Sequence, residues 1–187
     1  DSPGGARGWA VFHRSLPTDK PLRLNSTTQQ LSEANFFRED LMSTTVFGVN
    51  GDYDTGYSGD EYIAYVWTEI PGFSKFGSYT GNASTDGTYV HCGFRPAFVL
   101  TKMYDTMNEN WTISDSTRST FNHVDAFLRP DENTAETSGA ATMDFLSNGF
   151  KLRNTDDKTN RDGGNFIFAA FAEQPGTTPF DTFPNAR

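Results

Sequence analysis

The stretch GDEYIAYVWTE, Gly59 to Glu69, decides how the chain is read, because GGNFIFAAFAE, Gly163 to Glu173, says nearly the same thing about a hundred positions later. Each copy sets a glycine-containing turn ahead of aromatic and β-branched residues and stops at Glu. Rings and branched side chains fit a pleated surface and glycine punctuates its start, so both copies predict buried strands.

The first half predicts strands at Trp9–Leu16 (WAVFHRSL), with Trp9, Val11 and His13 on one face, at Leu22–Asn25 and at Thr44–Val49 (TTVFGV). A helical turn fits only the polar run Ser26–Asp40, and Asn50–Asp60 is a turn-rich connector. Gly72–Asn82 (GFSKFGSYTGN) reads as a linker or an edge strand. In Thr88–Met103, Pro96 breaks the ladder, which splits the run into a short strand before Arg95 and a buried one over Ala97–Lys102.

From Trp111 the landmarks return in order: Trp9 to Trp111, Phe47 to Phe150 and Tyr62 to Phe166 are 102, 103 and 104 positions apart. This predicts an internal duplication. The expected fold is all-β, two related antiparallel β-sandwich modules packed together. Residues 1–71 form the first module, 72–87 a linker or edge strand, 88–175 the second, and 176–187 an extended tail whose Phe180 and Phe183 alternate with prolines. Copy two has two strands before its Trp and copy one has only eight residues. The expectation is therefore a longer polypeptide or a missing strand supplied by another segment.

Composition narrows the function. At 187 residues the chain can bury roughly 70% of its unfolded surface, enough for a sizeable core. A net charge of −9 argues against nucleic acid and against an anionic membrane surface. No run of about 18 apolar residues predicts a membrane span, and the first residues do not resemble a signal peptide. Cys92 is the single cysteine, expected as a buried thiol.

The sequence offers no catalytic, cofactor-binding or metal residue to assign. His13, His91 and His123 have no metal-ligand spacing. Serine in GYSGD and GFSKF lacks the nucleophile-elbow glycines. Asp60, Glu61 and Glu69 sit in a turn or at a strand end, unlike the strand-borne acids of a glycanase. The acidic turn Asp52, Asp54, Asp60 offers oxygens at alternate positions, as calcium prefers, without an EF-hand pattern; Asn154, Asp156, Asp157 and Asp162 occupy the matching connector. A solvated turn is the competing reading of both. The sequons at Asn25, Asn82 and Asn110 matter only for a protein secreted from a eukaryote.

Tyr and Trp rings on a β surface stack on sugar faces. Trp9 and Trp111 occupy matched positions and are expected as core anchors. Tyr62, Tyr65 and Trp67 become Phe166, Ala169 and Phe171 in the second copy, which keeps apolar character and drops the polar tips; packing is the expectation for them too.

The series DEYIAYVWTEIPGFSKFGSYTGN, DGTYVHCGFRPAFVLTKM, DFLSNGFKLR, GGNFIFAAFAEQP and the terminal NAR resembles an uncharacterised domain of tailed-bacteriophage virion proteins, especially those of marine and cyanobacterial phages. Related modules there are similar to SPRY or concanavalin-like sandwiches. The resemblance covers almost the whole chain. It implies a non-enzymatic component of the particle exterior, in a tail fibre or decorating the capsid, and no cofactor. The partners it implies are other virion proteins and further copies of the chain in a homo-oligomer such as a trimer. A lectin-like module reading host surface glycans is the alternative, and a glycan-degrading enzyme the third reading.

Overall fold

A computed structural model describes residues 7–17, 19–32, 36–140 and 142–173. The elements are β1 (Ala10–Val11), β2 (Leu22–Arg23), β3 (Phe37–Arg38), a 3-10 turn (Glu39–Leu41), β4 (Gly48–Val49), β5 (Ser74–Thr80), β6 (Tyr89–His91), β7 (Phe98–Met103), β8 (Trp111–Asp115), β9 (Phe127–Leu128), β10 (Met143–Leu146), β11 (Gly149–Leu152), α1 (Asp157–Asn160) and β12 (Asn165–Phe171). The fold is all-β and sandwich-like, several antiparallel sheets packed together. A five-stranded sheet runs β5-β12-β7-β8-β9, a three-stranded one β10-β11-β6, and β1-β2 and β3-β4 form two small pairs.

GGNFIFAAF becomes β12, hydrogen-bonded along its whole length to β5 and β7. Alternation sends Phe166, Phe168 and Ala170 to one face, where they join Tyr79, Val99, Met103, Phe145, Phe150 and Leu152 in the main core beneath the three-stranded sheet. Ile167 points the other way and packs with Leu16, Leu22 and Trp111 under the N-terminal segment. A strand covered on both faces reads as a continuous apolar run, which is why its sequence shows little polar alternation. Gly163, at φ 69°, makes the turn into the strand.

DFLSNGFKLR folds as the hairpin β10–β11, with Phe145 opposite Phe150. Cys92 is buried as expected, and burial pushes its thiol up to about 12, which leaves it protonated and inert. The edge-strand reading of Gly72–Asn82 fits, since Ser74–Thr80 pairs with β12 on one side and ends the sheet on the other. The extended tail expected at 176–187 lies outside the described residues.

Three expectations are corrected. Residues 61–69 are extended but join no sheet, and all nine are exposed. The positions flanking β12 are filled by β5 and β7, so a strand of similar composition finds no place beside its counterpart. Trp9 is 51% exposed whereas Trp111 is 2% exposed, so only the second is a core anchor. The N-terminal strands are short: Trp9–Leu16 contributes Ala10–Val11, and Thr44–Val49 contributes Gly48–Val49. Ser43 explains the latter, because its Oγ takes the backbone N–H groups of Thr45 and Val46 and holds a local turn in place of a ladder.

Candidate functional site

The extended segment 61–69 is anchored at both ends and bare between them. At its start the Tyr62 hydroxyl donates to the Tyr53 carbonyl and accepts the Tyr57 N–H, each at 3.0 Å. Tyr53 and Tyr57 stack with centroids 4.2 Å apart, the Arg7 guanidinium lies 5.0 Å over Tyr53, and Arg7 pairs with Asp60 at 2.6 Å. At its end Ser74 Oγ accepts the Ile70 N–H (2.9 Å) and donates to the Thr68 carbonyl (2.7 Å). The Glu69 carboxylate accepts the Phe76 N–H at 3.3 Å and meets Lys75 at 3.0 Å.

Between these clamps, residues 61–67 make no backbone hydrogen bond among the described residues. Their side chains face water: Ile63 is 73% exposed, Tyr65 64% and Trp67 62%. Trp9, Tyr65 and Trp67 form a row of rings, with centroids 6.2 Å and then 6.1 Å apart and interplanar angles of 31° and 19°. Large contiguous apolar exposure of this kind is unusual on a monomer and marks contact sites. The expectation that Tyr62, Tyr65 and Trp67 pack in a core is therefore overturned. The sequence signal was present, in the polar tips that copy one keeps and copy two lacks.

A second feature is a groove of about 410 Å³ between the edge strands β5 and β6, lined in part by Ser15, Lys75, Ser78, Tyr89 and His91. The Tyr89 hydroxyl and His91 Nδ1 are 3.2 Å apart on its wall. Only the assembled sandwich brings these two edges together, so no local motif announces the groove.

The acidic turn is engaged internally. Asp54 accepts from Arg23 Nε and from the Gly8 N–H, both at 2.8 Å, Asp60 pairs with Arg7, and Asp52 accepts the Asp54 N–H at 2.8 Å. In the second connector Asp156 caps the short helix through the Lys158 N–H, and Asn154 accepts from the Thr159 hydroxyl. Asp157 and Asp162 are exposed. Among the described residues no group of three or more His, Cys, Asp or Glu is placed to hold a metal ion.

The three histidines are scattered. His13 is buried with Nε2 3.1 Å from the Phe168 carbonyl, and burial lowers its pKa. His91 lines the groove, and His123 Nδ1 lies 2.7 Å from Asp144, which also pairs with Arg153. Of the sequon residues Asn25 and Asn82 are exposed, while Asn110 is buried against Asp131 and Glu132. Lys102 was not foreseen. Fully buried, it donates from Nζ to the carbonyls of Glu109 (2.6 Å) and Thr27 (3.3 Å), and desolvation lowers it to about 8.

A family described as a domain of unknown function (DUF7483) matches residues 2–175, and the chain belongs to it. No curated protein and no solved structure matches.

Proposed function

We propose that the chain is a structural module of a tailed-phage particle exterior, in an appendage or on the capsid, working through contact surfaces and not through catalysis. The observation that carries this reading is the segment 61–69, clamped at both ends, with its rings turned to solvent. Holding hydrophobic surface in water is costly, and a protein that clamps such a surface in place is built for a partner. The resemblance of the sequence to virion domains supports that location, and the net charge of −9 favours solubility of the free chain. Imaging of particles labelled with antibody against this chain tests it. Label at defined positions on head or tail supports the reading, and unlabelled particles from lysates rich in the protein contradict it.

The second reading is a lectin-like module for host glycans. It is favoured by the row Trp9–Tyr65–Trp67, whose ring faces suit stacking on sugars. Glycan-array binding that disappears in Trp67→Ala supports it; no binding to any glycan removes it.

A further inference from the structure

The chain carries two incomplete halves of one β contact. One half is segment 61–68, extended, aromatic and without backbone partners from 61 to 67 among the described residues. The other is the outer edge of β5. Phe76 turns its N–H away from β12 to reach Glu69, and alternation along an antiparallel pair gives Ser78 and Thr80 the same outward direction. Glu69 covers one end of this edge and the Thr88 hydroxyl takes the Thr80 carbonyl at the other. Between them the Phe76 carbonyl and both backbone groups of Ser78 have no hydrogen-bond partner among the described residues, and here the groove runs between β5 and β6.

The segment is held off its own edge. The hairpin that begins with the Ile70–Ser74 bridge stops at once, because Ser74 Oγ and the Glu69 carboxylate occupy the groups the next rungs would use. Tyr62 and the Trp9–Tyr65 contact hold the remainder against the N-terminal region.

We propose that segment 61–68 of one copy adds as a strand to the outer edge of β5 in a second copy. Edge and segment lie on one polypeptide, so a second copy supplies what each lacks, without another partner. Trp9, Tyr62, Ile63, Tyr65, Val66 and Trp67 are 41–73% exposed and together offer roughly 700 Å², close to the roughly 800 Å² per partner of a standard interface. Donor and acceptor are different surfaces, so the contact is heterologous: it closes into a ring or a reciprocal dimer where the rotation permits and otherwise extends as an open filament. The inference deepens the assembly reading above and rests on it.

The test is complementation between two variants, followed by light scattering at rising concentration. Ser78→Pro removes an outward N–H and leaves the β12 ladder intact, since that N–H takes no part in it. Val66→Pro spoils the donor at a position with no backbone bond to lose. Wild type is expected to self-associate, each variant alone to stay monomeric and to melt like wild type at concentrations too low for association, and the two mixed to form a 1:1 dimer and nothing larger. Wild type that stays monomeric, a Val66→Pro protein that still assembles, or a mixture that stays monomeric overturns the proposal. Should Ser78→Pro fail to fold, Val66→Pro alone decides. A monomeric wild type whose antibody still labels particles sinks strand addition and leaves the virion reading standing; unlabelled particles sink that reading itself.

Discussion

The rings of Tyr65 and Trp67 lie 6.1 Å apart at 19°, stacked along one side of an extended segment, and each is more than 60% exposed. Their counterparts Ala169 and Phe171 sit in β12, within the five-stranded sheet. Like composition thus serves opposite roles in the two copies.

Truncation should separate those roles. Trp67→Ala and Tyr65→Ala remove side chains with little buried surface, and each is expected to change unfolding stability by less than about 1 kcal/mol. Phe168→Ala opens a cavity between Phe150, Tyr79 and Gly77 and is expected to cost about 3–5 kcal/mol. Urea denaturation of the three variants checks it. Equal losses would mean that the segment is packed after all.

The glycine of the β10–β11 hairpin gives a second prediction. A Cβ on Gly149 would lie 2.0 Å from the Val90 carbonyl oxygen, so alanine there must push β11 away from β6. Gly149→Ala is expected to lose roughly 3 kcal/mol, the upper end of overpacking costs. Gly51→Ala is the control, since nothing lies within 4 Å of its Cβ position.

Lys102 predicts a pH dependence. Burial lowers it from 10.5 to about 8, so between those values the unfolded chain binds the proton that the folded chain has lost. Stability from this residue rises with pH across that window, by up to about 3 kcal/mol. Lys102→Met, compared with wild type at pH 8 and pH 10, should show a flatter curve. His13 acts in the same direction lower on the scale: its pKa lies below 6.5, so stability falls as pH drops below that value.

The acidic turn should be indifferent to calcium. Asp54 is committed to Arg23 and Gly8, and Asp60 to Arg7. Added calcium is expected to leave the melting temperature unchanged, whereas Asp54→Ala costs roughly 1–3 kcal/mol by leaving the Gly8 N–H and Arg23 without their carboxylate. A calcium-dependent rise in melting temperature would reverse this assignment.

Much of the second half was legible because its signals are local. Pro96 separates β6 from β7, and the glycines ahead of Asn165 open β12. Residues 61–69 differ from the strand that their composition predicts, because composition shows that a run suits a strand and does not show whether a neighbouring strand is free to pair with it. The outcome was set by contacts far apart in sequence, β5 and β7 on the two sides of β12. Lys102 escaped for the opposite reason: a lone lysine predicts exposure, and only the Thr27 and Glu109 carbonyls, brought together by folding, let its ammonium be buried. The aromatic row was half legible, since three of its residues were singled out but their surroundings were not.

Hydroxyl-radical footprinting of Tyr65 and Trp67, in the dilute purified chain and in the phage particle of which we propose it is part, tests the central claim most directly. The account predicts rapid oxidation of both rings in the dilute chain and strong protection in the particle, with the buried Phe168 unmodified in each. Equal oxidation of Tyr65 and Trp67 in the two states would contradict it.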